Sequence, residues 1–196
     1  VMSQSLYTTL KQQHPDAEID VLAPAWCKPI LDRMPEINQA IEMPLGHGDF
    51  NLLGRRGLGK QLARNQYTHA YVLPNSAKSA LIPWFAGIPS RTGWKGEFRY
   101  GLLNDLRPNK KVFQYMVERY VALAFDKSAM LTSVKLENCP HPKLTVDTKQ
   151  QYSVCATLGL SLEKPIVGIC PGAEFGPAKR WPEQHYAEVA KQLIDS

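Results

Sequence analysis

Two groups of cations are placed where they could do chemistry. The first lies in "PGAEFGPAKRWPEQHY", residues 171–186, directly behind the apolar run "PIVGIC". Lys179 and Arg180 stand in a loop stiffened by Pro171, Pro177 and Pro182, just ahead of a helically patterned segment. Positive charge beside the free N–H groups of a helix start is a layout for holding an anion. Gly172 in the same loop either lets backbone approach a ligand closely or supplies a turn conformation. The second group is Arg55, Arg56 and Lys60 in "LLGRRGLGK". Positions 56 and 60 share a helical face and Arg55 is offset from them. The plain reading is a solvated basic face, but guanidinium groups also suit bidentate capture of phosphate or carboxylate.

Smaller constellations accompany these. "PNSAKS" puts Asn75 and Ser76 at the carboxyl end of a strand, where open α/β sheets bind ligands. Ser76 suits an N-cap, and Lys78 and Ser79 in the first helical turn could face the cleft where a ligand sits. In "MVERYVALA", Glu118 and Arg119 either pair locally or leave Arg119 to reach a ligand. Cys27, Cys139, Cys155 and Cys170 are too scattered for a local zinc or redox motif, and the five histidines form no HExxH pair. No metal and no cofactor is expected. The net charge of +5 is mild, and no basic stretch interleaved with aromatics marks a nucleic-acid surface. No run approaches the roughly 18 apolar residues of a membrane span, and no signal segment follows Val1, so a cytoplasmic protein is expected.

Positioning these residues requires βα units. Short apolar runs at "EIDVLAP", "INQAIEMP" and "THAYVLP" alternate with helical patterns, which predicts an α/β fold with a parallel sheet. A first helix with Met2, Leu6 and Leu10 on one face ends at Pro15. "FNLLGRRGLGKQLARNQ" reads as a glycine-interrupted helix whose apolar side is Leu52, Leu53, Leu58 and Leu62. "SAKSALIPWFAG", "FQYMVERYVALAFD" and "TKQQYSVCATLGL" read as helices, and "SRTGWKG" as a strand edge and loop. "PIVGIC" predicts a further strand and "YAEVAKQLIDS" a helix. Both ends read as cut: a doubly wound domain opens on a strand, and here the chain starts inside the helix that should follow it. The expected organisation is residues 1–147 as a Rossmann-like domain lacking its first strand, 148–163 as a connecting helix, and 164–196 as the start of a second domain.

"APAWCKPIL", "MPLGHG", "LPNSAKSAL", "RTGWKGEFRYGLLND" and "PGAEFGPAKRWP" together resemble the ADP-heptose:lipopolysaccharide heptosyltransferases, in register along the chain. That resemblance implies a GT-B architecture, two Rossmann-like domains facing across a cleft, of which this chain carries a fragment. It implies an inverting transfer of L-glycero-D-manno-heptose from ADP-heptose to the heptosyl-Kdo-lipid A core, at the cytoplasmic face of the inner membrane. It makes Lys179 the catalytic cation beside the donor diphosphate, with Gly172 and Arg180 as further donor contacts. It assigns Arg55, Arg56, Lys60, Asn75, Lys78, Ser79 and Arg119 to the phosphorylated acceptor. The family's catalytic aspartate sits in a turn after the first strand, which falls ahead of Val1, so this chain by itself is expected to be inactive.

Two other classes compete. A Rossmann-type oxidoreductase predicts a GxGxxG after the first strand and an acidic residue about 20 positions on, and none is visible. A noncatalytic anion- or nucleotide-binding module accounts for the charge but gives no reason for the proline-stiffened loop between two domains.

Overall fold

The computed structural model describes residues 1–46, 48–173 and 176–195. The expected histidine of "MPLGHG", His47, and two residues of the 171–186 loop, Glu174 and Phe175, lie outside the described residues. The chain forms two compact units, Val1–Val146 and a second that begins at Asp147.

In the first unit the order is α1 (Gln4–Gln13), β1 (Asp20–Ala23), α2 (Lys28–Leu31), β2 (Gln39–Glu42), α3 (Leu52–Leu62), β3 (His69–Val72), α4 (Ala77–Phe85), β4 (Ser90–Trp94), β5 (Asp105–Arg107), α5 (Met116–Val121) and α6 (Met130–Ser133). All pairings are parallel. β1 runs beside β2 with Asp20 opposite Gln39, and β4 lies between β3 and β5 with His69 opposite Ser90 and Thr92 opposite Asp105. Parallel strands need crossover connections; helices supply them from β1 through β4, while residues 95–104 link β4 to β5 without one.

β1, β2 and β3 carry apolar residues on both faces because helices cover both. Val21 and Ala23 of β1, with Tyr71 of β3, pack into a cluster built on Leu6, Tyr7 and Leu10 of α1, Val121 of α5 and Trp94. Leu22 and Ile41, one position out of step, face Leu58 and Leu62 of α3 and Ile82 of α4. That two-fold alternation is the strand period. It puts α1 and α5 on one side of both sheets and α3 and α4 on the other. β1 and β3 exchange no ladder hydrogen bonds, so each presents one unpaired edge.

Several expectations are corrected here. α3 is not interrupted: it runs unbroken through Gly54, Gly57 and Gly59. Gly59 is needed for close packing, since a Cβ would come within 2.6 Å of Phe85 Cβ and 2.8 Å of the Ile82 carbonyl. Leu52 and Leu53 are exposed rather than core-facing, and Arg55 takes the buried place beside Leu58 and Leu62. Met2 is likewise exposed, while Gln4 and Ser5 are buried because they bond residues 140–143: Gln4 Nε2 donates to the Lys143 carbonyl at 2.7 Å. The "SRTGWKG" strand is the middle of its sheet, and β5 had no apolar run to announce it. "FQYMVERYVALAFD" yields only the short α5 followed by a 3-10 turn, Ala122–Ala124.

The second unit contains α7 (Thr148–Thr157), a 3-10 turn (Pro177–Lys179) and α8 (Glu183–Asp195). Asp147 caps α7, its carboxylate accepting from Lys149 N–H at 2.9 Å and Gln150 N–H at 3.2 Å. Gly159 closes that helix in the left-handed region, at φ 66°. Residues 165–170, expected as a strand, form none among the described residues. A lone apolar run has no ladder to join, and no second strand is present among the described residues of this unit to pair with it.

Candidate functional site

The carboxyl ends of β3 and β4 are tied to the start of α3 by two buried arginines. Arg55, only 4% exposed, donates from Nε to the Phe50 carbonyl at 2.8 Å and from Nη2 to the Asp49 carbonyl at 2.8 Å. Its Nη1 reaches the Lys78 carbonyl at 3.3 Å, joining the loop after β2 to the first turn of α4. Arg99, 1% exposed, does the same between β3 and β4. Its Nη1 donates to the Pro74 carbonyl at 2.6 Å, and its Nε to the Trp94 carbonyl at 3.1 Å, where Nη2 also donates. No carboxylate pairs with Arg99 among the described residues, and burial pulls its pKa down, with Glu97 acting in the opposite direction. Charge-assisted donation to carbonyls is what makes such a buried cation tolerable.

The loops between these anchors interlock. Glu97 accepts from Ala77 N–H at 2.9 Å, and its own N–H donates to the Asn75 carbonyl at 3.1 Å. Gly96 is required beside them, because a Cβ there would lie 2.4 Å from the Asn75 oxygen. Ser76 stands at the N-cap of α4 but makes no capping bond, so the expected capping role passes to Glu97 from the neighbouring loop. The result is a rigid shelf at the end of the sheet where ligands of open α/β folds bind.

The residues singled out in the sequence divide on this shelf. Arg55 is inside it and serves as an anchor, its side chain too enclosed to meet a ligand in this geometry. Arg56 and Lys60 are exposed on the outer face of α3 and bond no described residue. Asn75 is exposed in the loop after β3, and Lys78 Nζ leans on the Asp49 carbonyl at 3.3 Å. The Ser79 hydroxyl is turned back onto the Ser76 carbonyl at 2.6 Å. Arg119 is engaged elsewhere, donating from Nη2 to the Phe113 carbonyl at 2.9 Å, while its own carbonyl accepts the Trp94 indole N–H at 2.9 Å. Glu118, its neighbour, caps the start of α5 by accepting from Tyr115 N–H at 2.8 Å. Arg99 and Glu97 went unnoticed in the sequence; the dense run "WKGEFRYG" was the available signal.

In the second unit Lys179 ends the 3-10 turn ahead of α8 and is exposed. Arg180 is exposed beside it, with Nε donating to the Ala173 carbonyl at 3.3 Å. Trp181 stacks on His185 at 5.3 Å and meets Tyr186 edge-on at 4.9 Å, so it fixes the helix entry by packing. Gly172 is not in the left-handed region; that conformation belongs to Gly176, at φ 79°. A Cβ at Gly172 would meet nothing described within 4 Å. Among the described residues no cluster of His, Cys, Asp and Glu could hold a metal, and no helix is long and apolar enough to cross a membrane.

Known proteins match this arrangement closely. The chain is 59% identical over 197 residues to lipopolysaccharide heptosyltransferase 2 of Escherichia coli strain K12, covering 100% of this chain and 57% of that protein. It is 58% identical over 203 residues to lipooligosaccharide heptosyltransferase 2 of Haemophilus influenzae, covering 99% of this chain and 57% of that one. The structure of E. coli ADP-heptose lps heptosyltransferase II superposes with a TM-score of 0.85 at 56% identity, over 99% of this chain and 57% of that chain. A glycosyl transferase family 9 structure from Veillonella parvula shares the fold, with a TM-score of 0.79 at 15% identity over 98% of this chain and 55% of that chain. The chain thus spans 57% of the length of the curated relatives it matches. The sequence pattern of glycosyltransferase family 9 (heptosyltransferase) matches residues 55–196, most of the chain, and the chain belongs to that family.

Proposed function

We propose that the protein to which this chain contributes transfers L-glycero-D-manno-heptose from ADP-heptose to the heptosyl-Kdo-lipid A inner core, with inversion. The observation that carries this reading is 59% identity along the whole chain to an enzyme named for heptosyl transfer to lipopolysaccharide. In the transfer an acceptor hydroxyl forms the new bond to the anomeric carbon as the bond to the diphosphate breaks. The hydroxyl proton passes to a carboxylate that the resemblance puts ahead of Val1. Lys179 meets the negative charge growing on the departing ADP, which is where a fixed cation lowers the barrier. Arg180 and the backbone at Gly172 are secondary donor contacts.

On this reading residues 1–147 form the acceptor domain, 148–163 the connection and 164–196 the start of the donor domain. Arg56, Lys60, Asn75 and Lys78 take the phosphates and carboxylates of the acceptor, Ser79 and Arg119 support that surface, and Arg55 holds it in place. The acceptor is a lipid, so the enzyme works peripherally at the cytoplasmic face of the inner membrane. The unpaired edges of β1 and β3 receive one further parallel strand.

The test uses the protein at its relatives' full length, incubated with ADP-heptose and a mono-heptosylated Kdo-lipid A. A product heavier by one heptose is expected. Transfer from some other nucleotide sugar only, with none from ADP-heptose, refutes the donor assignment.

A further inference from the structure

Directly behind β4, the segment Lys95–Tyr100 holds two aromatic rings out in solvent on a braced backbone. Phe98 is 80% exposed and Tyr100 is 53% exposed. Between them Arg99 plunges into the core and bonds two carbonyls, so its neighbours in sequence are forced outward. The segment is fixed at both ends as well. Lys95 N–H donates to the Arg107 carbonyl at 2.7 Å, and Leu103 N–H donates to the Arg99 carbonyl at 3.2 Å. Rings held rigidly in water give up hydrophobic stabilisation, which points to an occupant.

The geometry defines what that occupant is. The rings meet edge-on, with centroids 5.4 Å apart and planes inclined by 64°, forming an exposed corner. The Lys95 ammonium lies 5.9 Å over the Tyr100 ring, placing a positive charge on the corner's rim. Asn75 and Glu97, both exposed, are polar neighbours through the Glu97 N–H bond to the Asn75 carbonyl at 3.1 Å. A pyranose has an apolar C–H face that lies against a ring and hydroxyls at its edge for polar groups. A carboxylate or phosphate on that sugar would meet Lys95. Two rings are too small a patch for a stable protein interface, which buries on the order of 800 Å² per partner. The adjacent Glu97 and Asn75 disfavour insertion into hydrocarbon.

We propose that Lys95, Phe98 and Tyr100 form a subsite for an acidic sugar of the acceptor, stacking its ring and pairing its anionic group. This rests on the heptosyl-transfer reading and adds the residues that hold the acceptor's carbohydrate.

Binding is measured by calorimetric titration of the protein at its relatives' full length, independently of turnover. The probes are the deacylated heptosyl-Kdo oligosaccharide, its carboxyl methyl ester, inorganic phosphate and anionic phospholipid vesicles. The oligosaccharide is expected to bind, and Phe98→Ala and Tyr100→Ala each to weaken it by roughly five- to ten-fold. Lys95→Gln should weaken the acid and leave the ester unaffected. Because both rings are exposed, the variants should melt as the parent does, which separates lost binding from lost folding. The proposal is overturned if the oligosaccharide does not bind or if the ring variants bind it equally well. It is overturned too if phosphate alone binds as tightly, or if vesicles bind through these residues and the sugar does not. Retained oligosaccharide binding without heptosyl transfer would sink the transfer reading alone. Transfer with an unchanged acceptor KM in the ring variants would sink the subsite alone.

Discussion

Replacing Arg99 by methionine tests the idea that a buried cation builds the shelf at the end of the sheet. Methionine approximates the length and volume of the side chain but donates nothing. The Pro74 and Trp94 carbonyls would lose the guanidinium donors they accept from at 2.6 and 3.1 Å. The three charge-assisted bonds that Arg99 makes are worth about 1.5–3 kcal/mol each, or about 4.5–9 kcal/mol together, and of the two carbonyls Pro74 keeps the Ser79 hydroxyl at 3.4 Å. Against this stands relief from burying a charge that has no carboxylate partner, a cost of several kcal/mol after relaxation. The difference should be a loss of about 2 kcal/mol, or roughly thirty-fold in a local opening equilibrium. Hydrogen exchange at Glu97 N–H, bonded to the Asn75 carbonyl at 3.1 Å, reads that opening directly. Trp94 emission follows global unfolding of the first unit, since Trp94 is only 3% exposed and the other three tryptophans are solvent-facing. Arg99→Lys should lose nearly as much, because a point charge cannot reproduce the planar fork. A methionine variant whose Glu97 amide exchanges no faster than the parent's would refute the reasoning, and would make Arg99 a tolerated burden.

Other perturbations follow from the same geometry. In the full-length protein, Lys179→Ala should reduce donor binding and turnover together, by roughly ten- to hundred-fold, with Arg180→Ala doing less; unchanged steady-state kinetics would return Lys179 to the solvated surface. Gly57 and Gly59 should respond oppositely to alanine in chemical denaturation. Gly57 is exposed with nothing within 4 Å, so the change should stabilise by about 0.5–1 kcal/mol, whereas at Gly59 the Phe85 contact at 2.6 Å makes it destabilising. Burial pushes the Tyr71 hydroxyl above its ordinary 10.0 and the Cys139 thiol above 9.0, so both favour the fold with the proton on. Their contribution is complete below those ordinary values and is lost as pH rises through the raised ones; melting temperature should fall in that alkaline range, and less steeply in Tyr71→Phe. Extending the chain by an apolar strand ahead of Val1 should raise the melting temperature by occupying the open edges of β1 and β3, and an unchanged melt would count against that slot.

What the sequence disclosed and what it hid follow one physical division. Val21, Leu22 and Ala23, or Tyr71 and Val72, show their burial in their own chemistry, so β1 and β3 and the helices between them could be read directly. Strand β5, "DLR", carries two charges in three residues and is a strand only because β4 is beside it and Asp105 pairs with Arg107 at 2.7 Å. Lone arginines misled for a related reason. Arg55 and Arg56 are identical in type and adjacent, yet one is buried among carbonyls and the other exposed, a distinction set by the Asp49 and Phe50 backbone and by the Lys78 carbonyl 23 residues away. Leu52 and Leu53 are outward for the same cause, since Arg55 occupies the inner face of α3. A helical period identifies a face, but it cannot say that the chain across from it offers oxygen atoms instead of methyl groups. Where backbone carbonyls converge at the ends of strands, a guanidinium becomes the better core residue. The cations most deeply built into this shelf, Arg55 and Arg99, are therefore those least available to a ligand, and recognition passes to the residues they hold outward.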